Sequence, residues 1–587
     1  MKGFFGKLLY VDLSTRSFRV EEIKEEILRK YLGGKGLGSY LLLNYVAPGT
    51  DPLGPDNKLI FVPGPASGGG MWGSSRYGVY SKSPQTGLYS ESYSGGKVAP
   101  VMHKTGYDAI ILAGVSDSPV YLEISDSKVE FHDAGQLWGK DTYATEDSVL
   151  QAVNVPGAQA VVIGPAGENL VRFACIENNY WRSAGRTGLG AVMGSKKVKA
   201  VVFHGEATCE IADPEMFKSL LKSVAAKAKD NPGVKAYQTY GTTQMVRTMN
   251  GAKSFPTRYW SEGVFDKWQA ISGDSLLEQL EVKSNSCPNC FLACGKLSKV
   301  KEGKHAGLKV EGPEYETLFA FGGLCCIDNH ADILHLNDLC DRLGIDTITA
   351  GNLAALAIEA VQQGKVAGDL QYGKADGVAR LLQDITNRRG LGATLAEGII
   401  HASKVWNMED QAIHVKGLEP AGQDPRVLKG MGLAFATSTR GACHLRATFY
   451  KPELSGLIDP AAIEGKAEMF VEWENRLTSL NNQILCVFYR DLFLWPELIQ
   501  LVKAVTGWEF TQQELEEISN RVVTLTRVFN SREGAGKDMD TLPQRMFKEA
   551  INDGKNSITE VEIKHMVDSY YRLRGWDESG LPISGEF

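Results

Sequence analysis

Three cysteines, Cys287, Cys290 and Cys294, stand in the stretch SNSCPNCFLACGKLSK as a C-x2-C-x3-C run near the middle of a 587-residue chain. Thiols so spaced on one loop can meet different corners of a metal cluster, with the fourth corner supplied from elsewhere. The fold must therefore return a distant segment to this loop. Small buried cysteines are the bland alternative. Three within eight residues, beside Pro288 and Gly295, make a poor set of core fillers. A tetrahedral zinc site would show two C-x2-C pairs, or Cys and His pairs, and no second C-x2-C is present. The reversed order, C-x3-C-x2-C, would suit radical chemistry on a cluster with an open iron; it is not the order found. Cys175, Cys209, Cys325, Cys326, Cys340, Cys443 and Cys486 are the candidates for the missing ligand.

The chain is longer than one hydrophobic core sustains, so two to four domains are expected. Its 43% apolar and 23% charged residues describe an ordinary globular protein, and a net charge of −7 gives no sign of a nucleic-acid partner. Lys7 and Asp12 interrupt the first apolar run, so no signal peptide is read there. No window approaches 18 uncharged apolar residues, and membrane insertion is not expected. A cytoplasmic location follows as the expectation, and there clustered cysteines point to metal rather than disulfides.

Residues 1–208 are Gly-rich and carry short β-type runs such as KLLYVDL, KLIFVPG, AIILAGV, AQAVVIG and VKAVVFHG between closely spaced turns. From about residue 211 the texture changes to helical spacing with polar starts and Gly ends, as in HADILHLNDLCDRLG and TQQELEEISNRVVTLTRVFNSREG. The expected class is α+β: a β-rich cofactor-binding domain (1–208), then two mainly α-helical domains (209–415 and 416–587). No internal repeat is legible.

LCDRLGIDTITAGN places Asp341 in the last turn of a helix that Gly344 ends, with Ile345 and Asp346 leading into the next. Asp346 has a ready role as a helix cap. Asp341 does not, because a carboxylate at a helix C-terminus is disfavoured by about 0.3–1 kcal/mol; a ligand rich in N–H donors would reward it. A second segment, LTSLNNQILCVFYRD, has the same outline, with Asn481 where Asp341 falls and Leu485-Cys486 at its exit. Two similar turns can grip two similar ligands, which raises Cys486 above its rivals.

Gly-rich loops carrying Arg76, Ser94-Gly95-Gly96-Lys97, and Arg182, Ser183 and Arg186 offer backbone amides and guanidinium groups to phosphates. Tight β-turns account for at least half of those glycines. No Rossmann or P-loop signature is present. Glu311, Glu314 and Glu316 follow the cysteine loop, and His444 lies between Arg440 and Arg446. A carboxylate and a histidine converging on one pocket would suit general-base and hydrogen-bonding roles; a satisfied structural histidine is the plainer reading.

In their order along the chain, GKLLYVDLSTRSF, SSRYGVYSKSP, WRSAGRTGLGAVMGSKKVKAV, SCPNCFLACGK, EGPEYET, LCDRLGIDTITAGN, GMGLAFATSTRGACHLRA and the Cys486 segment resemble the aldehyde:ferredoxin oxidoreductase family. That resemblance implies a tungsten (or molybdenum) bis-pterin cofactor, one [4Fe–4S] cluster held by Cys287, Cys290, Cys294 and Cys486, and a Mg2+ ion bridging the pterin phosphates as a further candidate. It implies that Asp341, Gly344, Ile345 and Asp346 bind one pterin and Asn481 with Leu485 the other. Arg76, Ser94 to Lys97, Arg182, Ser183 and Arg186 would lie by the pterins and phosphates, with Glu316 or Glu314 and His444 beside the metal. The activity implied is aldehyde oxidation, with electrons passed to ferredoxin or a ferredoxin-like subunit, within a homo-oligomer or larger complex. The alternatives are the catalytic subunit of a tungsten-dependent benzoyl-CoA reductase and a non-catalytic iron–sulfur electron-transfer subunit. A molybdopterin enzyme of the dimethyl-sulfoxide-reductase type is a more distant one, since its cysteine run sits near the N-terminus. Two departures stand out. The second turn reads N-N-Q-I-L-C where the family shows D-x-x-G-L-C, and Asp328, His330, Asp332 and His335 do not map cleanly onto an inter-subunit metal site.

Overall fold

The computed structural model describes residues 1–583. Twelve strands fill the first third: β1 (Lys7–Asp12), β2 (Ser17–Glu22), β3 (Leu59–Pro63), β4 (Tyr77–Lys82), β5 (Tyr89–Ser94), β6 (Ala109–Ala113), β7 (Val120–Ile124), β8 (Val129–Asp133), β9 (Gln159–Val162), β10 (Ile176–Asn178), β11 (Arg182–Ala184) and β12 (Val198–Phe203). They form two six-stranded sheets, β2-β1-β6-β3-β4-β5 and β8-β7-β12-β9-β10-β11. Continuous apolar runs such as LIFVP and AIILA become strands buried on both faces. The edge strand β2 instead carries exposed charges, which discourage pairing with another chain. The sheets share an apolar layer that includes Phe61 and Phe203, whose rings are 6.3 Å apart.

The absence of a repeat is corrected here, because the backbone is duplicated although the residues are not. Strand for strand the two sheets have the same order. The parallel pair β1·β6 matches β7·β12, and the remaining neighbours are antiparallel in both. The turn Gly64-Pro65-Ala66 after β3 matches Gly164-Pro165-Ala166 after β9. Side-chain identities diverged while the pairing pattern persisted, so nothing periodic survived in the sequence.

The remainder is mainly helical, and the architecture is α+β. The helix His330–Leu343 is capped by the Asn329 side chain and ended by Gly344 in the left-handed conformation. The helix Thr347–Gln362 starts on the Asp346 side chain and is buried almost all round, as its AALAIEA run requires. One element departs from the helical reading. A three-stranded sheet, β13 (Glu281–Asn285), β14 (Gly295–Lys299) and β15 (Lys309–Glu311), carries the cysteines, whose loop joins β13 to β14 beyond the Asn285–Gly295 pair. The apolar cores ignore segment limits. One unites residues of the first third, such as Leu37, Ile60 and Tyr80, with Leu477, Leu485, Val522 and Phe529. Another runs from Ala166 through Tyr259 and Leu356 to Trp576.

Candidate functional site

The two helix-ending turns have the same backbone. Gly344 has φ 74° and Asp346 φ −64°, ψ 121°; Ile484 has φ 54° and Cys486 φ −63°, ψ 129°. Each turn docks on one half of the duplicated sheets. The Asp346 amide donates to the Phe173 carbonyl at 3.3 Å, and the Cys486 amide to the Gly73 carbonyl at 2.8 Å. A Cβ on Gly164 would collide with the Leu343 carbonyl, and one on Gly64 with that of Gln483, so both turns approach bare backbone.

At the exit of the second turn lies a cavity of about 300 Å3, lined by Cys486 but by no residue of the first turn. Its wall brings together Cys287, Cys290, Cys294 and Cys486 with Arg76, Gly95, Arg182, Glu314, Glu316 and His444. Cys486 is thus the candidate ligand that joins the loop thiols; Cys443 is buried near His444 outside the wall, and no other cysteine lines it. The Gly96 amide lies 3.2 Å from Cys287 Sγ, and the Tyr489 hydroxyl 3.4 Å from Cys290 Sγ. The Ser75 hydroxyl donates to the Pro288 carbonyl at 2.6 Å, tying the cysteine loop to the first half-sheet. Arg76 Nη1 donates to the Leu485 carbonyl at 3.0 Å, and Arg182 pairs with Glu311, which also accepts from Asn285 at 2.9 Å.

Glu316 Oε2 accepts from the Gly422 amide and Oε1 from Gln423 Nε2, each at 2.9 Å. Burial raises its carboxyl to about 7 against those two donors. His444 Nε2 is 3.6 Å from Glu316 Oε1, too long for a direct hydrogen bond, so an oxygen about 2.8 Å from each would bridge them. Burial, then Arg186, Arg440, Arg446 and Arg490, hold His444 neutral. Glu314 also lines the cavity but accepts from the Thr242 hydroxyl, away from His444.

The other expected residues do not line the cavity. Asp341 is buried and accepts from Asn337 Nδ2 at 2.8 Å; burial and Glu177 push its carboxyl well above the usual range. Asp346 accepts from the Ile348 and Thr349 amides at 3.3 and 3.1 Å and pairs with Arg186 Nε at 3.2 Å. Arg186 also donates to the Ala442 and Glu419 carbonyls, so its guanidinium is turned inward. Ser94 bonds Asn178 and Ser183 bonds Glu177, each at 2.7 Å. Asn481 is buried, while Lys97 is exposed and outside the cavity wall. Asp328, His330, Asp332 and His335 do not all meet: Asp328 pairs with Lys267 and His330 turns inward to Ser275, while Asp332 pairs with His305, on which the His335 ring stacks at 4.4 Å.

Sequence reasoning passed over Gln423, Thr242 and the apolar wall formed by Tyr237, Met245, Leu292, Tyr450 and Phe488. It also passed over a buried charge cluster. Glu91 pairs with Lys35 at 3.1 Å and with Arg446, and Arg440 Nη2 lies 2.9 Å from Cys443 Sγ. Burial alone would raise the Cys443 thiol, but Arg440, Arg446 and Arg186 bring it to about 7. Gln423 belongs to the polar stretch EPAGQDPR, in which Glu419, Gln423, Asp424 and Arg426 are all buried although its composition is that of a surface loop.

Two family descriptions match the chain: the N-terminal domain of aldehyde ferredoxin oxidoreductase over residues 8–205, and its domains 2 and 3 over residues 219–586. A tungsten-containing aldehyde ferredoxin oxidoreductase of Thermococcus kodakarensis is 36% identical, covering 99% of this chain and 97% of the relative. The WOR-like subunit of an aliphatic sulfonate oxidoreductase from Pyrococcus furiosus is 30% identical, with 99% and 96% covered. Among solved structures, the active-site complex BamBC of benzoyl coenzyme A reductase with 1,5-dienoyl-CoA superposes with a TM-score of 0.85. It is 24% identical and covers 99% of this chain and 96% of that one, a likeness of fold.

Proposed function

The chain belongs to the aldehyde ferredoxin oxidoreductase family, and from that premise we propose that it oxidises an aldehyde to a carboxylate at a tungsten bis-pterin centre. The two electrons released would leave one at a time through a [4Fe–4S] cluster to a ferredoxin or ferredoxin-like subunit. The observation that carries the reading is the convergence of four thiols, two arginines, Glu316 and His444 on one cavity.

The thiols on the cavity support the cluster directly, and the pterin reading is supported by polar groups that do not line the cavity. Four thiolates are the donor set of a four-iron cluster, and a Cβ on Gly95 would come within 3.1 Å of Cys287 Sγ, so that glycine leaves room at the thiol. Buried Asp341 has one side-chain donor, leaving acceptor capacity for an N–H-rich ring. Arg440 Nε and Arg446 Nε are buried without a hydrogen-bond partner among the described residues. Cys287, Cys290, Cys294 and Cys486 would hold the cluster, while Asp341 with Asp346 and Asn481 with Leu485 would hold the two pterins. When bound, these groups supply a two-electron couple with oxygen transfer and a one-electron relay.

The chain's own part is proton handling and positioning. Aldehyde and water become a carboxylate, three protons and two electrons. Glu316 takes a proton from water or the hydrated aldehyde, held in place by Gly422 and Gln423. Neutral His444 donates to the carbonyl oxygen and polarises it. The apolar wall around Tyr237, Leu292 and Phe488 limits water. Residues 1–208 act as the cofactor's base, 209–415 bring the cysteine loop and first turn, and 416–587 bring His444 and the second turn. Among the described residues no helix is long and apolar enough to cross a membrane; we place the enzyme in the cytoplasm.

Protein purified without oxygen should contain about four irons and one tungsten per chain and reduce a viologen dye with aldehydes. Protein lacking tungsten, molybdenum and pterin, or active on aryl-CoA esters and inert to aldehydes, would overturn the reading.

A further inference from the structure

The second half-sheet carries a group of side chains that the proposed chemistry does not use. Glu123 on β7 stands directly opposite Glu130 on β8. Like charges directly opposite on an antiparallel pair are destabilising, so a cation between them is favoured. At the equivalent place in the first half-sheet, Tyr10 faces Arg19, whose guanidinium lies 3.6 Å over the ring. The duplicated fold therefore does not require two acids here.

His132, two residues along β8, turns Nε2 to within 3.0 Å of Glu123 Oε2 and 3.7 Å of Glu130 Oε2. Ligand atoms of the three residues all lie within 4.8 Å of one another. His132 is stacked on Tyr121 at 4.6 Å, which fixes its ring plane. His204, just past β12 on the other side of β7, bonds the second Glu123 oxygen at 2.8 Å. A carboxylate so held by an imidazole is oriented as an outer partner orients a metal ligand. Lys128 in the β7–β8 turn already places an ammonium 2.9 Å from Glu123 and 3.0 Å from Glu130. Its side chain is 42% exposed and free to swing away.

We propose that Glu123, Glu130 and His132 form a binding site for a divalent transition-metal ion of the zinc type, with His204 orienting Glu123 and Lys128 occupying the site when no metal is bound. One imidazole and two carboxylates suit such an ion. Bonds of about 2.0–2.1 Å to a tetrahedral ion place ligand atoms about 3.3–3.4 Å apart, between the 3.0 and 3.7 Å that separate His132 from the two carboxylates, with all three ligand atoms within 4.8 Å of one another. The ion would tie the edge strand β8 to β7, and the remaining positions face solvent.

The test uses the intact holoenzyme, with Zn2+ as probe and Mg2+ as control, read by titration calorimetry and by anomalous scattering at the zinc edge in crystals. One Zn2+ per chain should bind at β7–β8, and Mg2+ should not. His132→Ala and Glu130→Gln should each weaken binding at least tenfold, as should His204→Ala through orientation. Lys128→Ala should tighten binding several-fold and leave aldehyde oxidation unchanged. Zinc affinity unaltered by His132→Ala and Glu130→Gln, no zinc peak at β7–β8, or weaker binding in Lys128→Ala would each overturn the site.

Discussion

Glu316 and Glu314 are two residues apart, yet their surroundings set them different tasks. Glu316 is the carboxylate 3.6 Å from His444, and burial raises it to about 7. A base with a raised pKa is protonated, and idle, below that value, so kcat/KM for aldehydes should climb as pH passes upward through about 7. Glu316→Gln should abolish that limb and cost about 10²–10⁴ in turnover, with iron and tungsten contents unchanged. Equal loss in Glu314→Gln with full activity in Glu316→Gln would reverse the assignment. Cys486→Ser should lower the iron content and alter the reduced-cluster resonance; an unchanged iron count would remove Cys486 from the ligand set. The sequence made the cysteines legible because thiols are few and their spacing is chemical. It could not choose between the two glutamates, because Gly422 and Gln423, which hold Glu316, lie about a hundred residues on. Gln423 and Glu419 were missed for a related reason: a buried polar loop has the composition of a surface one.

At the scale of elements, the two helix-ending turns show how a departure in sequence is absorbed by structure. Ile484 stands where Gly344 stands in the first turn, and it keeps the left-handed backbone, φ 54° against 74°. A left-handed conformation costs an L-residue roughly 1–2 kcal/mol. The turn keeps it because Ile484 is buried against bare backbone; a Cβ on Gly34 would meet its Cγ1 at 2.7 Å, and one on Gly64 its Cβ at 2.8 Å. Both Ile484→Ala and Ile484→Gly should unfold below the parent, because each empties a packed site. Between them the usual order should invert, with the glycine variant the more stable by about 1 kcal/mol. Calorimetric melting of the two variants decides it, and an alanine variant that melts higher would show that the backbone relaxes out of the left-handed region. The strand runs and principal helices were legible from periodicity. The sheet β13-β14-β15 was not, because its short polar strands take their order from the loop they carry.

At the scale of the molecule, the cores determine what can fold alone. Residues 1–208 form both half-sheets, but Leu37, Ile60 and Tyr80 bury themselves against Leu485, Val522 and Phe529 from the far end of the chain. Lys82 closes the same contact with Glu533 at 2.5 Å, both side chains nearly inaccessible. A fragment ending at 208 would expose that apolar face and strand Lys82. It should therefore bind hydrophobic dyes and melt without a sharp transition, while the full chain unfolds cooperatively. A fragment with dispersed amide resonances and a cooperative melt would show that the half-sheets are a free-standing domain. The C-terminal helices are bound together by charge as well as by apolar packing. Asp540 is ion-paired with Lys416 at 2.6 Å and accepts from Arg527 at 2.7 Å, and all three side chains are almost fully buried. Asp540→Asn would leave two cations facing an amide in a dry interior, and breaking a buried pair costs about 3–5 kcal/mol. The cavity draws His444 and Cys486 from this same C-terminal region. The variant should therefore lose metal content and the β signal of the half-sheets in circular dichroism together, at a lower temperature than the parent, because the sheets share their core with these helices. Metal loss that leaves the β signal intact would show that the half-sheets hold together without the C-terminal helices.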